Sequence, residues 1–314
     1  MTLFGGGRRP NPSGKNSRRA PSKFRVAVAV LSIFMVVVII LLTLLAVRVA
    51  HLAHENRVAM AAEASGDSVL LTDPSLGKIR LPLLRGVDRC KYHSDDFYLD
   101  EKGRLAYDSK KCTATLGIDV STYQRDVDWD RVREDGVEFV MVRAGFRGYG
   151  SEGRLVEDES FRSHVEGASA AGLHVGVYFF SQATTVEEAE EEAAFVLERL
   201  KGLDIDYPVV FDWEIIDGEE ARTDGMLPDE VTDCAAAFCK KIKRGGYTPM
   251  VYFSTRQGLL KYNLRDLRDY DFWLVQYTNA PYFAYDYKML QFTETGIVDG
   301  LDGYVDLDLC FKKY

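Results

Sequence analysis

The chain has 314 residues, of which 46% are hydrophobic and 12% aromatic, an ordinary globular composition long enough for one large or two small domains. Its charge is uneven: the first 25 residues hold seven bases and no acid, and the rest holds 32 bases against 48 acids, a formal charge of −16. This acidic remainder excludes nucleic acid as a partner, because binding phosphates needs a basic surface.

Residues 1–25 are rich in glycine, proline, serine and bases, which predicts a disordered tail. Residues 26–47 carry no charge and are almost wholly apolar, and as a helix they would span roughly 33 Å, enough to cross a bilayer. Because the bases all precede this segment, we expect a single-pass type II membrane protein with a cytoplasmic tail and an extracellular remainder. A cleaved signal peptide is the alternative, but its apolar core is normally about 7–15 residues long. Both alternatives export the rest of the chain.

Residues 48–86 have helical composition first and then several glycines and prolines, which predicts a stalk or linker. In residues 87–115, Phe97 to Asp108 alternates apolar and polar residues around Glu101-Lys102-Gly103, a pattern typical of a β-hairpin. Cys90 and Cys112 flank it, and in an oxidising compartment we expect a disulfide between them. Cys234 or Cys239 could pair with Cys310, leaving one thiol over.

From residue 116 to 314, short apolar runs alternate with amphipathic segments, which favours strands and helices around a parallel sheet. Eight runs are predicted strands: 116–120, 138–144, 174–180, 208–214, 249–254, 272–277, 288–292 and 304–309. Residues 158–171, 185–200 and 229–244 are predicted helices, whereas the last three strands follow too closely for full helices between them. We therefore predict an α/β fold, a modified TIM-like β/α barrel with eight strands and about five helices.

Four acids lie at the ends of predicted strands. Asp212 and Glu214 share one face of their strand, about 6.6–6.8 Å apart at Cα, and Asp119 and Asp306 end two others. Since catalytic groups of such barrels come from strand ends at one mouth, we expect the four carboxyls to converge. Crowded carboxyls raise one another's pKa, so at least one should hold a proton, as glycoside hydrolysis requires.

Other interpretations remain open for these acids. Asp119 and Asp306 could each cap a turn or helix, and the four together could hold calcium or magnesium. The sequence has no zinc signature, no lysine-bearing phosphate loop and no Gly-x-Ser-x-Gly elbow, so we expect neither metal nor cofactor.

Five motifs in order resemble glycoside hydrolase family 25 across about 195 residues. They are Gly117-Ile118-Asp119-Val120-Ser121 with Tyr123-Gln124, residues 139–145, residues 176–180, Asp212-Trp213-Glu214, and Gly303-Tyr304-Val305-Asp306-Leu307. The resemblance implies a lysozyme that cleaves the β-1,4 bond between N-acetylmuramic acid and N-acetylglucosamine in peptidoglycan. It implies Glu214 as general acid, Asp212 as a partner that orients the substrate's N-acetyl group in a retaining reaction, and Asp119 and Asp306 as further groove acids.

Four further residues are candidates for substrate binding, because each lies on or ends a predicted strand near the mouth: Tyr178, Tyr252, Gln276 and Arg143. The three uncharged ones could equally be core residues, and Arg143 could pair with the acids instead.

Two departures from the family pattern stand out. Leu290-Gln291-Phe292 replaces a common Trp-Gln-Tyr, which predicts the loss of a stacking surface, and Asp308 replaces a common Asn. The leading hypothesis is a membrane-tethered hydrolase that remodels the cell's own wall. The alternatives are a catalytically weak module that binds wall glycan and a glycosidase for another polysaccharide.

Overall fold

The computed structural model describes residues 31–32, 34–43, 68–73, 76–216, 218 and 220–314. It divides into two compact units, Met1–Ala61 and Ala62–Tyr314. In the first unit, residues 31–32 and 34–43 are helical, and they lie inside the predicted membrane helix at 26–47, whose other residues lie outside the described ones. No helix within the described residues combines the length and apolar character needed to cross a membrane. The predicted tail at 1–25 lies wholly outside the described residues.

The second unit begins with two small antiparallel strand pairs. β1 (Ser68–Asp73) pairs with β2 (Gly77–Pro82), and β3 (Phe97–Leu99) pairs with β4 (Leu105–Tyr107). The second pair is the hairpin that the sequence predicts. The first pair lies in the predicted linker. It packs onto the main core: its Leu71 is only 2% exposed, and its Val69 contacts that core.

A closed barrel of eight strands follows. In sheet order its strands are β5 (Thr115–Val120), β6 (Phe139–Arg147), β8 (His174–Ser181), β9 (Val209–Trp213), β10 (Pro249–Ser254), β11 (Asp271–Val275), β12 (Met289–Gly296) and β13 (Val305–Cys310), with β13 returning to β5. All eight predicted strands are confirmed. Neighbours are parallel except β13, which runs antiparallel to both β12 and β5. A short strand, β7 (Leu155–Glu157), extends β6 outside the barrel.

Five helices cover the described part of the barrel: α1 (Trp129–Glu134), α2 (Phe161–Ala171), α3 (Val186–Arg199), α4 (Pro228–Arg244) and α5 (Thr255–Leu260). Capping side chains fix the starts of α3 and α5. Thr185 accepts from the backbone N–H of Glu188 at α3, and Ser254 and Gln257 form a capping box at α5. As predicted, no helix is seen between β11 and β12 or between β12 and β13.

Two apolar cores result from the alternation of side chains along the strands. One lies between barrel and helices, and the other fills the barrel with residues such as Met141, Val210 and Met250. Gly117 is required here, because a Cβ at this position would lie 2.2 Å from the ring of Phe139. The filled interior closes the barrel below its mouth.

The predicted disulfide between Cys90 and Cys112 is wrong for this structure, in which all five cysteines are free thiols. Cys90 Sγ contacts the carbonyl of Tyr92 at 3.8 Å, and Cys112 Sγ contacts that of Phe311 at 3.2 Å, so the two thiols serve different backbone acceptors. Tyr92 stacks on Phe311 with ring centroids 4.1 Å apart, and this aromatic packing joins the segment to the barrel without a covalent link.

Candidate active site

The four predicted acids line one pocket of about 330 Å³ at the mouth of the barrel. Asp119, Asp212 and Glu214 lie at the carboxyl ends of parallel strands or directly after them. Asp306 lies near the start of β13, and it reaches the same mouth because this strand runs antiparallel and pairs Asp306 with Asp119. The predicted convergence of the four residues is therefore present.

Asp212 and Glu214 lie in surroundings that disfavour charge. Asp212 is 5% exposed, and no donor among the described residues reaches its Oδ1. Burial, then the charges of Glu214 and Asp119, raise its pKa well above the ordinary value. Burial, with a smaller contribution from the charge of Asp306, raises the pKa of Glu214 to about 7. A carboxyl with this pKa is protonated in much of the population at neutral pH and can donate a proton.

The backbone that carries Glu214 is held by two buried glutamines. Gln182 Nε2 donates to the carbonyl of Glu214 at 3.5 Å, and Gln257 Nε2 donates to the carbonyl of Trp213 at 3.2 Å. Thr223 in turn donates its hydroxyl to Gln182 Oε1 at 2.9 Å. These bonds fix where the strand ends and hence where the Glu214 side chain begins.

On the other side of the pocket from Glu214, Gln291 forms hydrogen bonds with three side chains. Its Nε2 donates to Asp119 Oδ2 at 2.7 Å, and its Oε1 accepts from the hydroxyls of Tyr252 at 2.9 Å and Tyr277 at 3.3 Å. Asp119 is 7% exposed, and burial followed by the charge of Asp306 raises its pKa well above the usual range. Asp306 reaches more solvent, and burial followed by the charge of Glu294 raises its pKa to about 6.

Five aromatic side chains line the pocket: Tyr123, Tyr178, Tyr252, Trp273 and Tyr277. Tyr178 and Tyr252 lie edge-on to Trp273, with ring centroids 6.2 and 4.9 Å away. Tyr178 and Tyr252, two of the predicted binding candidates, therefore both line the pocket. Apolar ring faces beside carboxyls suit a sugar, which has both C–H faces and hydroxyls.

Arg143 also lines the pocket, but its partner is Asp158 rather than a catalytic candidate. Its Nε donates to Asp158 Oδ2 at 2.8 Å, and the guanidinium lies 5.4 Å from the ring of Tyr123. Asp158 is held by the backbone N–H groups of Thr122 and Ser160. Arg143 is therefore a fixed cation at the rim, and its charge lowers the pKa of Asp212 against the larger raising effects.

Gln276 does not line this pocket, contrary to the prediction. Its Nε2 donates to Thr255 Oγ1 at 2.8 Å and its Oε1 accepts from the backbone N–H of Tyr282 at 2.8 Å. The residue directly follows β11, where alternation turns Val275 inward and Gln276 outward.

The residues that sequence reasoning missed are mostly neutral polar or aromatic side chains. They are Ser121, Tyr123, Gln124, Trp273, Tyr277, Gln291 and Glu294. Side chains alternate between the two faces of a strand. Trp273 and Gln291 would therefore have been predicted to face the barrel interior if the sequence showed which face of β11 and β12 points inward.

The expected loss of a stacking surface at residues 290–292 is also wrong. Leu290 belongs to the core between barrel and helices, and Phe292 lies in the wall of a neighbouring cavity of about 730 Å³. Both therefore face away from the pocket, and Gln291 between them faces in. Tyr277 lines both cavities, so they adjoin.

The described residues contain no group of three or more His, Cys, Asp or Glu arranged to hold a metal ion. What the pocket offers is a carboxyl with a pKa of about 7 beside other carboxyls, hydroxyls and ring faces. Such an arrangement can protonate a leaving oxygen and stabilise positive charge that develops next to it.

Comparison with known proteins agrees with this geometry. The chain is 28% identical over 194 residues to the autolytic lysozyme of Clostridium acetobutylicum, covering 61% of this chain and 54% of the relative, so it spans about half of that protein. It is 27% identical over 205 residues to the uncharacterized protein YegX of Escherichia coli, covering 62% of this chain and 68% of that protein.

Solved structures share the fold. The CTP1L endolysin matches with a TM-score of 0.52 and 25% identity over 63% of this chain and 67% of its own. The modular autolysin LytC from Streptococcus pneumoniae matches with a TM-score of 0.55 and 21% identity over 78% of this chain and 57% of its own. The family model of glycosyl hydrolases family 25 matches residues 118–301, more than half of the chain. The chain therefore belongs to glycosyl hydrolases family 25.

Proposed function

We propose that the chain is a peptidoglycan hydrolase, a lysozyme that cleaves the β-1,4 bond between N-acetylmuramic acid and N-acetylglucosamine. The observation that carries this proposal is Glu214, a carboxyl with a pKa of about 7 at the mouth of a barrel, beside Asp212, Asp119 and Asp306. The relationship to an autolytic lysozyme supports the substrate class.

In the proposed reaction, Glu214 donates its proton to the glycosidic oxygen as the C1–O bond breaks. The oxygen of the substrate's own N-acetyl group forms a bond to C1 and gives a cyclic cation. Asp212 orients that group and stabilises the positive charge on its nitrogen. The Glu214 carboxylate then takes a proton from water as the water oxygen attacks C1, which opens the ring and restores the acid with retained configuration.

Asp119 and Asp306 add negative charge at the mouth, which favours a developing oxocarbenium ion, and the charge of Asp306 adds to burial in keeping Glu214 protonated. Tyr178 and Tyr252 contact the sugar. Arg143 supplies a fixed hydrogen-bond donor at the rim for an acidic substituent of the substrate. The neighbouring cavity that shares Tyr277 leaves room for the chain of the substrate to continue.

The experiment is digestion of purified peptidoglycan by the full-length chain, its Glu214→Gln variant and a Glu220→Gln control. Glu220 is an exposed acid six residues after Glu214 and does not line the pocket, so Glu220→Gln makes the same change of side chain outside the site. We expect Glu214→Gln to lower kcat by about 10²- to 10⁴-fold, the usual contribution of a general acid, with the control close to the parent. Equal activity in all three proteins would contradict Glu214 as the acid.

We also propose that residues 26–47 anchor the chain in the cell membrane, with the tail at 1–25 cytoplasmic and the barrel outside. The uncharged run after seven bases supports this orientation. The test is protease treatment of intact cells whose wall has been removed. An anchored barrel is digested from outside and the remaining stub sediments with membranes, whereas a released barrel, found in the medium, would contradict the anchor.

A further inference from the structure

Asp308 is a carboxyl inside the barrel that the proposed mechanism leaves unused. It lies on β13 two residues after Asp306, where it pairs with Gly117 of β5 and Gln291 of β12. Its exposed fraction is 0%, and it does not line the pocket. Trp273 Nε1 donates to its Oδ1 at 2.9 Å, while no donor among the described residues reaches its Oδ2.

The group beside this Asp308 carboxyl is another carboxyl. Across the antiparallel pair of β13 and β5, Asp306 lies opposite Asp119 and Asp308 lies opposite Gly117, so the Asp308 carboxyl is diagonal to that of Asp119 and the two act on each other electrostatically. On its other side Asp119 accepts from Gln291 Nε2. The charged groups that act on Asp308 are Asp119 on β5 and Asp306 on its own strand, and the side chains facing it from β11 and β12 are the neutral Trp273 and Gln291. No described base offsets two negative charges at this point.

Two ionised carboxylates cannot form a hydrogen bond to each other, because each only accepts. One proton between them removes the repulsion, and if Asp308 Oδ2 holds it, this otherwise unpaired atom becomes a donor to Asp119. The burial of an unpaired charge would otherwise cost far more than the protonation.

We propose that Asp308 keeps this proton and uses it to donate a hydrogen bond to Asp119, so that Asp119 stays an oriented anion at the pocket wall. Asp119 is the better site for the charge, since it is 7% exposed, borders the pocket and accepts from an amide at 2.7 Å. Asp308 is deeper and has one indole donor. In this arrangement Asp308 is a positioning residue that acts through Asp119 and touches no substrate.

This inference rests on the proposed hydrolase activity for its kinetic consequences but not for the protonation itself. Asp119 accepts from Gln291, which also accepts from Tyr252 and Tyr277. The orientation of Asp119 therefore depends on the same amide that positions the two tyrosine hydroxyls. When the shared proton is lost at high pH, Asp119 and Asp308 repel and this wall loses its geometry.

Asp308→Asn is the informative variant, because its amide can donate to Asp119 and accept from Trp273 at every pH, as the protonated acid does at neutral pH. We expect it to keep kcat within about 3-fold of the parent at pH 7. Asp308→Ala, which removes the donor to a charged group, should lower kcat by about 10- to 100-fold. Loss of activity in Asp308→Asn equal to that in Asp308→Ala would overturn the proposal.

A second readout does not depend on catalysis. The indole N–H of Trp273, assigned with Trp273→Phe among the three tryptophans, reports the charge of Asp308 by its NMR shift. In the parent it should stay constant from pH 4 to pH 7 and move only at higher pH, and it should not move in Asp308→Asn. A midpoint near pH 4 in the parent would overturn the proposal. An inactive parent with a constant indole signal would instead contradict the hydrolase assignment alone.

Discussion

Gln291 makes three side-chain hydrogen bonds within the pocket wall. It donates to Asp119 and accepts from Tyr252 and Tyr277, so one amide sets the positions of an anion and two hydroxyls. An amide suits this role because it has both donors and acceptors, whereas a carboxylate only accepts. The identity of residue 291 therefore matters more for the site than its two hydrophobic neighbours.

Gln291→Glu is predicted to lower kcat/KM by about 10- to 100-fold, because it removes the donor to Asp119 and adds a repelling charge. Gln276→Glu is the matched control, since Gln276 is equally buried but outside the pocket and Thr255 can donate in its place. Steady-state kinetics on soluble wall fragments measures both. Similar losses in the two variants would mean that Gln291 acts only on folding.

The pKa of Glu214 predicts an activity that falls as pH rises through about 7, since the acid loses its proton there. The same shift has a stability consequence of defined sign. Because the folded-state pKa lies above the ordinary 4.5, the folded protein holds the proton more tightly, and raising pH from about 4.5 to 7 destabilises the fold through this group.

Glu214→Gln is therefore expected to be more stable than the parent at pH 8 and equally stable at pH 4. The difference at pH 8 should be about 1–3 kcal/mol, below the full value of the shift because the side chain is partly exposed. Urea unfolding at the two pH values measures it. A parent more stable than Glu214→Gln at pH 8 would contradict the raised pKa.

The hairpin of β3 and β4 is docked to the barrel by ionic contacts around one residue. Asp135, just after α1, accepts from Lys102 and Arg104, and Arg104 Nη2 also donates to the carbonyl of Ile297 at 2.7 Å. Burial raises the pKa of Asp135, but the hydrogen bonds from the two bases outweigh burial and hold it below its usual range. The contact thus contributes stability above pH 4 and loses it as pH falls through the lowered pKa.

Asp135→Asn should destabilise the protein by about 1–3 kcal/mol at pH 7, because it leaves the largely buried Arg104 without its carboxylate. Asp299→Asn is the control, as its ion pair with Arg131 is more than half exposed and should contribute under about 1 kcal/mol. Thermal or urea unfolding distinguishes the two. Equal losses would mean that the hairpin is not held through Asp135.

The elements of the barrel were predictable because each strand is a short apolar run and the longer helices are amphipathic. The direction of β13 was not, since an apolar run reads the same in both directions. The pair β1–β2 was missed because its glycine and prolines are equally typical of a linker. Gln291 and Trp273 were missed because neither residue type signals chemistry without knowledge of which face of the strand is inside.

All five cysteines are free thiols in the structure, although the export that we propose would place them in an oxidising compartment. Cys234 and Cys239 are buried in α4, and Cys310 lies inside the barrel. Burial raises the pKa of the Cys234 and Cys310 thiols to about 12, which suppresses their reaction. Cys90 and Cys112 are more accessible.

We therefore expect five thiols per chain to be alkylated after unfolding without reductant, and those of Cys234, Cys239 and Cys310 to be protected in the folded protein. Mass spectrometry of the alkylated peptides counts them. Three alkylated thiols after unfolding, with Cys90 and Cys112 in one linked peptide, would restore the disulfide that the structure lacks.

Lysozyme activity with Glu214 as the acid is tested most directly by the identity of the new reducing ends that the full-length protein releases from purified peptidoglycan. Borohydride reduction followed by mass spectrometry of the muropeptides distinguishes the two sugars. We predict reduced N-acetylmuramic acid ends that are absent from the Glu214→Gln digest. Reduced N-acetylglucosamine ends, or no release by the folded parent from several wall types, would contradict a lysozyme that uses Glu214 as its acid.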